Sequence, residues 1–237
     1  MKVVIVDGRM GEDEQRKLML LGFHPLSLPK SSKLPVAISS HPDTLLFRIG
    51  DRIVSSADYC DEASYFFGDL RELCPHITLT LTGDSFTDKF PGDCLYNALT
   101  VGRFIFCRED SISRKIPELA EAFGFEIVSV KQGYPACSAL ALGDKAIITS
   151  DKGLLRAAEA VGIPGYWIEP GHISLPPYEY GFIGGASGVV GDNVYFIGDY
   201  KRHPSADIID RAMEDFGYRA IALSDKPLSD LGGMLFI

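Results

Sequence analysis

Short apolar runs alternate with glycine-centred breaks along the whole chain. Four stretches share one shape: an apolar run, a Gly with polar company, and a second apolar run. They cover residues 44–54 around Gly50-Asp51, 96–106 around Gly102-Arg103, 137–148 around Gly143-Asp144, and 185–196 around Gly191-Asp192. Two apolar runs around such a turn predict a β-hairpin. Each hairpin is followed by a predicted helix with a clear stop. Four stops read Leu21-Gly22-Phe23, Phe123-Gly124-Phe125, Val161-Gly162-Ile163 and Phe216-Gly217-Tyr218, and the fifth is Cys74-Pro75. Gly after a helix takes the left-handed conformation at low steric cost and ends it. Apolar returning strands follow the stops, over residues 25–28, 77–81, 126–130, 166–168 and 218–223.

Hairpin, helix and returning strand therefore recur, with stops spaced by roughly 40 to 55 residues, near the range of repeat architectures. One copy has lost its turn. Residues 232–237 supply its first strand and residues 2–6 its second. That split unit predicts a ring closed by its own ends. An ordinary α/β sheet, whose βαβ units also recur, is the competing architecture; the Gly-turn hairpin in each unit and the split unit favour the ring.

Composition narrows the function classes. The chain has 237 residues and a formal net charge of −9. It can bury a sizeable core, and residues 1–237 are expected to form one domain. The stretches 28–35 and 83–93 read as surface loops, not linkers. The negative balance argues against general nucleic-acid binding and against an anionic membrane surface, and weakly favours a cationic ligand. Solvated acidic helices account for the same charge. No span approaches the ~20 apolar residues of a membrane helix, and Asp7 comes too early for a signal peptide. Cys60, Cys74, Cys94, Cys107 and Cys137 lack the paired spacing of zinc sites. Reduced, mostly buried thiols in a cytoplasmic protein are expected, with neither metal nor cofactor. The sequence sets no oligomeric state.

Candidate chemistry follows from aligning the hairpins on their turn glycines. Six residues upstream lie Thr44, Tyr96, Cys137 and Gly185, each predicted to begin the first strand of its repeat. In a pseudo-symmetric ring these equivalent positions meet around the axis. His41-Pro42-Asp43, Asp93, Asn97, Cys137-Ser138, Ser187 and Asp230 flank those starts, and Gly184-Gly185 and Gly232-Gly233 permit close backbone approach. Six of them, His41, Asp43, Asp93, Asn97, Cys137 and Asp230, are predicted to converge with Ser187 on one end of the axis. Each has a bland alternative. His41 can simply start a strand, Asp43 can cap a turn, Asp93 and Asn97 suit a loop, and Cys137 can be a buried, inert thiol. His203-Pro204-Ser205 is expected to precede a helix capped by Ser205. Residues 182–188 are Gly-rich but lack the Lys and the strand–loop–helix context of a phosphate loop.

The fivefold ββαβ ring with a unit shared between the termini resembles the pentein, or α/β-propeller, superfamily. That superfamily includes arginine deiminases, dimethylarginine hydrolases, agmatine deiminases, amidinotransferases and a non-enzymatic ribosome-binding initiation factor. His41-Pro42-Asp43-Thr44 resembles the His-x-Asp-Thr motif of the deiminases, whose His is a general acid/base. Pro91-Gly92-Asp93 resembles a Gly-Gly-Asp strand start, and Gly232-Gly233 the Gly-rich entry to the last strand. The resemblance implies a five-fold pseudo-symmetric α/β propeller of ββαβ repeats, the first closed by the C-terminal strand. It also implies a thiolate attacking a guanidinium carbon, gripped by carboxylates. The chain departs from that pattern in two places. Its last strand, residues 234–237, holds no Cys, and its His-x-Asp lies in the second repeat, not the fourth. The expectation is a reshuffled site on a small cationic guanidinium or amidine-like substrate. Cys137 would be its nucleophile, His41 its acid/base and Asp43 a catalytic carboxylate, with Asp93, Asn97, Ser138, Ser187 and Asp230 binding substrate. The chain would then be a C–N hydrolase or an amidinotransferase. The alternative is a non-catalytic pentein that binds a protein or small ligand at its ring face.

Overall fold

A computed structural model describes residues 2–237. The chain runs β1 (Lys2–Asp7), α1 (Glu12–Leu20), β2 (Phe23–Leu28), α2 (Pro42–Leu45), β3 (Phe47–Ile49), β4 (Arg52–Ser56), α3 (Ala57–Glu62), α4 (Ser64–Leu73) and β5 (Thr78–Thr82). Next come β6 (Leu99–Val101), β7 (Phe104–Cys107), α5 (Lys115–Phe123), β8 (Glu126–Ser129), α6 (Pro135–Ser138), β9 (Ala139–Leu142), β10 (Ala146–Thr149), α7 (Lys152–Ala160) and β11 (Gly165–Trp167). The last are β12 (Ser187–Val190), β13 (Asn193–Phe196), α8 (Ala206–Phe216), β14 (Arg219–Ala222) and β15 (Leu235–Phe236).

These strands form five three-stranded sheets, each with one antiparallel and one parallel pairing. The middle strands β1, β4, β7, β10 and β13 are rich in apolar residues and buried along nearly their whole length. A strand covered on both faces requires that composition. The turn residues Gly50, Gly102, Gly143 and Gly191 all take the left-handed conformation, at φ 56 to 58°. Gly124 and Gly217 end α5 and α8 in the same region of backbone space. The split unit is present: Val4 pairs with Phe236 and Ile5 with Leu235, antiparallel. The ladder continues with the Ile237 amide donating to the Val3 carbonyl at 2.9 Å. β15 is shorter than residues 232–237 because Gly232 and Gly233 sit at φ 69° and 72°, which is not extended.

The first strands of the repeats surround the axis. A cavity of about 230 Å³ there takes lining residues from every repeat, among them Phe47, Thr100, Ala136, Ser187 and Leu235. Two sequence expectations need correction. Thr44, Tyr96, Cys137 and Gly185 do not begin strands; Thr44 and Cys137 lie in the one-turn helices α2 and α6, and Tyr96 and Gly185 lie in turns before β6 and β12. Pro42 and Pro135 occupy the first helical position, where a missing N–H costs nothing and a fixed φ is already helical. Ser205 precedes α8 but its hydroxyl does not cap it; it accepts the Glu169 amide at 2.9 Å instead. All five cysteines are free and buried. Among the described residues, no helix is long and apolar enough to cross a membrane.

Candidate functional site

Four segments from distant parts of the chain meet at one end of the axis. α2 brings His41, as the residue capping it, and Asp43. α6 brings Cys137. The approach to β15 brings Asp230, and the end of β1 brings Asp7. Gly232 makes the meeting possible. A Cβ on it would overlap the Cβ of His41, so only Gly lets the C-terminal segment pass α2 so closely.

Cys137 Sγ donates to Asp43 Oδ2 at 2.7 Å. Asn97 holds the same turn from the third repeat. Its Nδ2 donates to Cys137 Sγ at 3.4 Å and its Oδ1 accepts the Ala136 amide at 2.8 Å. Asp230 accepts the Gly232 amide at 3.1 Å and the Phe182 amide at 2.8 Å. His41 is wholly buried, and neither ring nitrogen has a hydrogen-bond partner. Nδ1 lies 4.0 Å from Asp43 Oδ1 and 3.9 Å from Asp230 Oδ1, while Nε2 lies 3.9 Å from Asp7 Oδ2. One ligand-type atom each of His41, Cys137 and Asp230 falls within 4.8 Å of the others, a spacing that could hold a metal ion.

Burial dominates the electrostatics. It pushes Asp43 up to about 7, helped by the nearby Asp230 charge. It pushes Asp230 up to about 6, against the two backbone donors. It raises the Cys137 thiol well above its ordinary value, and the Asp43 and Asp230 carboxylates add to that. It lowers His41 to about 3, although Asp7 pulls the other way. Protonated, His41 would be an ion-pair centre for three acids. Desolvation outweighs that attraction, so the resting imidazole is neutral. The nearest cation, Arg9, is already engaged. Its Nε and Nη2 donate to Asp7 at 2.9 and 2.6 Å, and its other donors reach the Val36 and Ala37 carbonyls. Ser40 adds a fourth hydrogen bond to the Asp7 carboxylate, alongside the Arg9 amide. The site thus holds more acid than base, with an unpartnered imidazole inside it.

The sequence-predicted residues divide. His41, Asp43, Asn97, Cys137 and Asp230 are together. Asp93 is buried one layer back, beside the Tyr134 phenol, which burial and then Asp93 push upward. Ser138 is buried behind Cys137, and its hydroxyl has no partner. Ser187 makes no hydrogen bond to this cluster. Its hydroxyl donates to the Ile183 carbonyl at 2.7 Å, and the residue lines the axial cavity of about 230 Å³. Asp7 was missed. Its signal was a lone acid closing the buried apolar run of residues 3–6, where the other middle strands end in Ser56, Cys107, Thr149 and Phe196.

Above the cluster opens a cavity of about 410 Å³, lined by His41, Cys137 and Asp230 and walled by Tyr134, Tyr180 and Phe182.

A family model described as "Family of unknown function (DUF6873)" matches residues 5–235. No curated protein matches the chain. Solved structures do. DDAH from Pseudomonas aeruginosa, a mutant complexed with citrulline, is 12% identical with a TM-score of 0.63, covering 100% of this chain and 99% of that one. The N-terminal domain of ArgZ, covalently bound to a reaction intermediate, is 13% identical with a TM-score of 0.57, covering 96% and 91%. SxtG, an amidinotransferase from Microseira wollei, is 11% identical with a TM-score of 0.54, covering 98% and 89%. At these identities the likeness is one of fold.

Proposed function

From a chain that belongs to the DUF6873 family, a family of unknown function, and has the pentein fold, we propose a cysteine-dependent hydrolase or transferase. It acts on a small guanidinium- or amidine-like substrate, with residues 1–237 working as one domain. The observation that carries this reading is the Cys137 thiol held by Asp43 beside an unpartnered, neutral His41 in a site with excess carboxylate. A cation bound there offsets the charges of Asp43 and Asp230. The same cation lowers the thiol pKa, since those charges are what raise it beyond burial. Thiolate formation is thereby tied to substrate binding, with Asp43 taking the thiol proton along the existing hydrogen bond.

Cys137 Sγ then attacks the amidino carbon and forms a C–S bond as one C–N bond breaks. The departing amine collects the proton that Asp43 took from the thiol. His41 then takes a proton from water or from an acceptor amine as that group attacks the amidino carbon, and the C–S bond breaks to return the Cys137 thiolate. Water gives hydrolysis; an amine gives amidino transfer. Asn97 keeps the Cys137 turn in register throughout. The nucleophile sits on α6 in the fourth repeat, because the last strand offers Met234 to Ile237 and no thiol. DDAH holding citrulline and SxtG as an amidinotransferase are consistent in chemical class, although those properties are theirs.

A second reading is a pentein that binds a small ligand without turnover. The strong upward shift of the Cys137 thiol favours it, and a metal ion held by His41, Cys137 and Asp230 is one such ligand. A screen of guanidino compounds for ammonia, urea-type or amidino-transfer products separates the two readings. Mass spectrometry of the quenched enzyme would look for an adduct on Cys137. Turnover lost in Cys137→Ser supports the enzyme. No turnover across the screen, with stoichiometric metal retained by purified protein, would replace it with the binding reading.

A further inference from the structure

The cavity over Cys137 is of small-molecule size, and its lining is one-sided. Four aromatic rings, Tyr134, Tyr178, Tyr180 and Phe182, line it, three of them from the single loop between β11 and β12. Outside the His41–Cys137–Asp230 floor, one charged group lines it: Glu179, exposed at the mouth. Among the described residues, no lysine or arginine lines this cavity. Arg9 is tied to Asp7 and to two carbonyls, and Lys131, next to Gln132, lines different cavities.

These walls discriminate among guanidines by the far end of the molecule. A carboxylate there would lose hydration and find no cation, with Glu179 repelling it. An ammonium group would meet the Glu179 carboxylate and aromatic faces, both of which attract cations.

We propose, resting on the guanidine-acting reading, that the substrate carries a second positive charge and no carboxylate at the end remote from the guanidinium, and that Glu179 with the aromatic rim recognises it. The substrate class is an aminoalkyl guanidine. The reaction that supplies it is the decarboxylation of a guanidino amino acid or the amidination of a diamine.

Three probes test this: 1-amino-4-guanidinobutane, L-arginine, which adds a carboxylate at the same length, and butylguanidine, which lacks the amine. Binding is measured by calorimetry on Cys137→Ser and by thermal shift on the unaltered protein. The expected order is 1-amino-4-guanidinobutane first, with L-arginine at least about tenfold weaker, equivalent to ~1.4 kcal/mol. Glu179→Gln is expected to cut the advantage of 1-amino-4-guanidinobutane over butylguanidine by about fivefold and to leave butylguanidine itself unchanged. L-Arginine binding as tightly as 1-amino-4-guanidinobutane, or an advantage that Glu179→Gln does not move, overturns the inference alone. If none of the three binds either protein, the guanidine-acting reading falls and this inference with it.

Discussion

The same place in the repeat is filled in two opposite ways. In the second and fourth repeats it is a one-turn helix opened by Pro, α2 and α6, and it presents His41, Asp43 and Cys137. In the fifth it is the Gly184-Gly185 pair, which presents no side chain at all. A methyl group on Gly184 would run into the carbonyl oxygens of Ala136, Cys137 and Ala139, and one on Gly185 into Asp230. The Gly185 amide donates to the Cys137 carbonyl at 3.0 Å, and its carbonyl accepts from Leu231 and Gly233. Repeats two and four supply chemistry; repeat five supplies room and backbone donors. Pseudo-symmetry gives equivalent seats, and a crowded axis cannot have side chains in all of them.

The largest expected effect breaks the chemical half of that contrast. Cys137→Ser should lower turnover of any guanidine substrate at least about 10³-fold, by analogy with the loss of other activated nucleophiles. The swap is nearly isosteric, so the melting temperature should stay within a few degrees. Residual turnover above a tenth of the original would move the nucleophile elsewhere.

Next comes the spatial half. Gly184→Ala should cost about 3 kcal/mol of unfolding free energy in denaturant titration, since the clashes are with backbone that has nowhere to go. A cost under ~1 kcal/mol would mean that the pair is not holding the two segments together.

Asp43→Asn should act on stability with a sign opposite to its effect on activity. Asp43 has a folded pKa of about 7 against an ordinary value of 3.8. Between those values the folded protein holds a proton that the unfolded chain has released, so Asp43 removes stability as pH rises from about 4 to 7. His41, lowered to about 3, works the other way between about 3 and 6.5, and the comparison with the variant cancels it. Asparagine ends the Asp43 loss but weakens the bond from the Cys137 thiol. The net gain is expected on the order of 2 kcal/mol at pH 8, fading toward pH 4, with activity abolished. Melting curves across that range that run parallel for the two proteins would contradict a buried, proton-holding Asp43.

The smallest effect is Ser187→Ala, which removes one hydrogen bond to Ile183 and should cost about 1 kcal/mol with turnover unchanged. A large loss of turnover would return Ser187 to the site.

Those four positions also mark what the sequence revealed. The repeat was legible because its punctuation is stereochemical: hairpin glycines and helix stops need left-handed backbone, and few other residues supply it. Aligning on those glycines was enough to group His41, Asp43, Asn97 and Cys137, and the Gly232-Gly233 entry to the last strand added Asp230. Ser187 lines the axial cavity with Asp43 but bonds Ile183, because α2 and α6 wind a helical turn where repeat five stays irregular, so equal spacing from the turn Gly is not equal depth along the axis. Pro42 and Pro135 were the available sign of those turns. Asp7 escaped because the alignment followed the starts of first strands, and Asp7 ends a middle strand. Tyr178 to Phe182 escaped because a loop wall has no period.

Because β1 and β15 share a sheet, the site is written across the two ends of the chain. Asp7 comes from one end and Asp230 with Gly232 from the other, and Asp230 does not come beside Asp7 until the ring closes. Pairings so remote in sequence have the highest loop-closure cost and tend to form late in folding. A chain whose seam is still open therefore has Asp43 beside Cys137 but not Asp230 beside Asp7, and the full mutual repulsion of the site's acids is met only at the final step. Any cation that settles among them favours the closed ring over the open one by its own binding free energy. Ligand and last strand thus clasp the same buckle from two sides, and slower opening of the seam in amide exchange becomes a measure of occupancy.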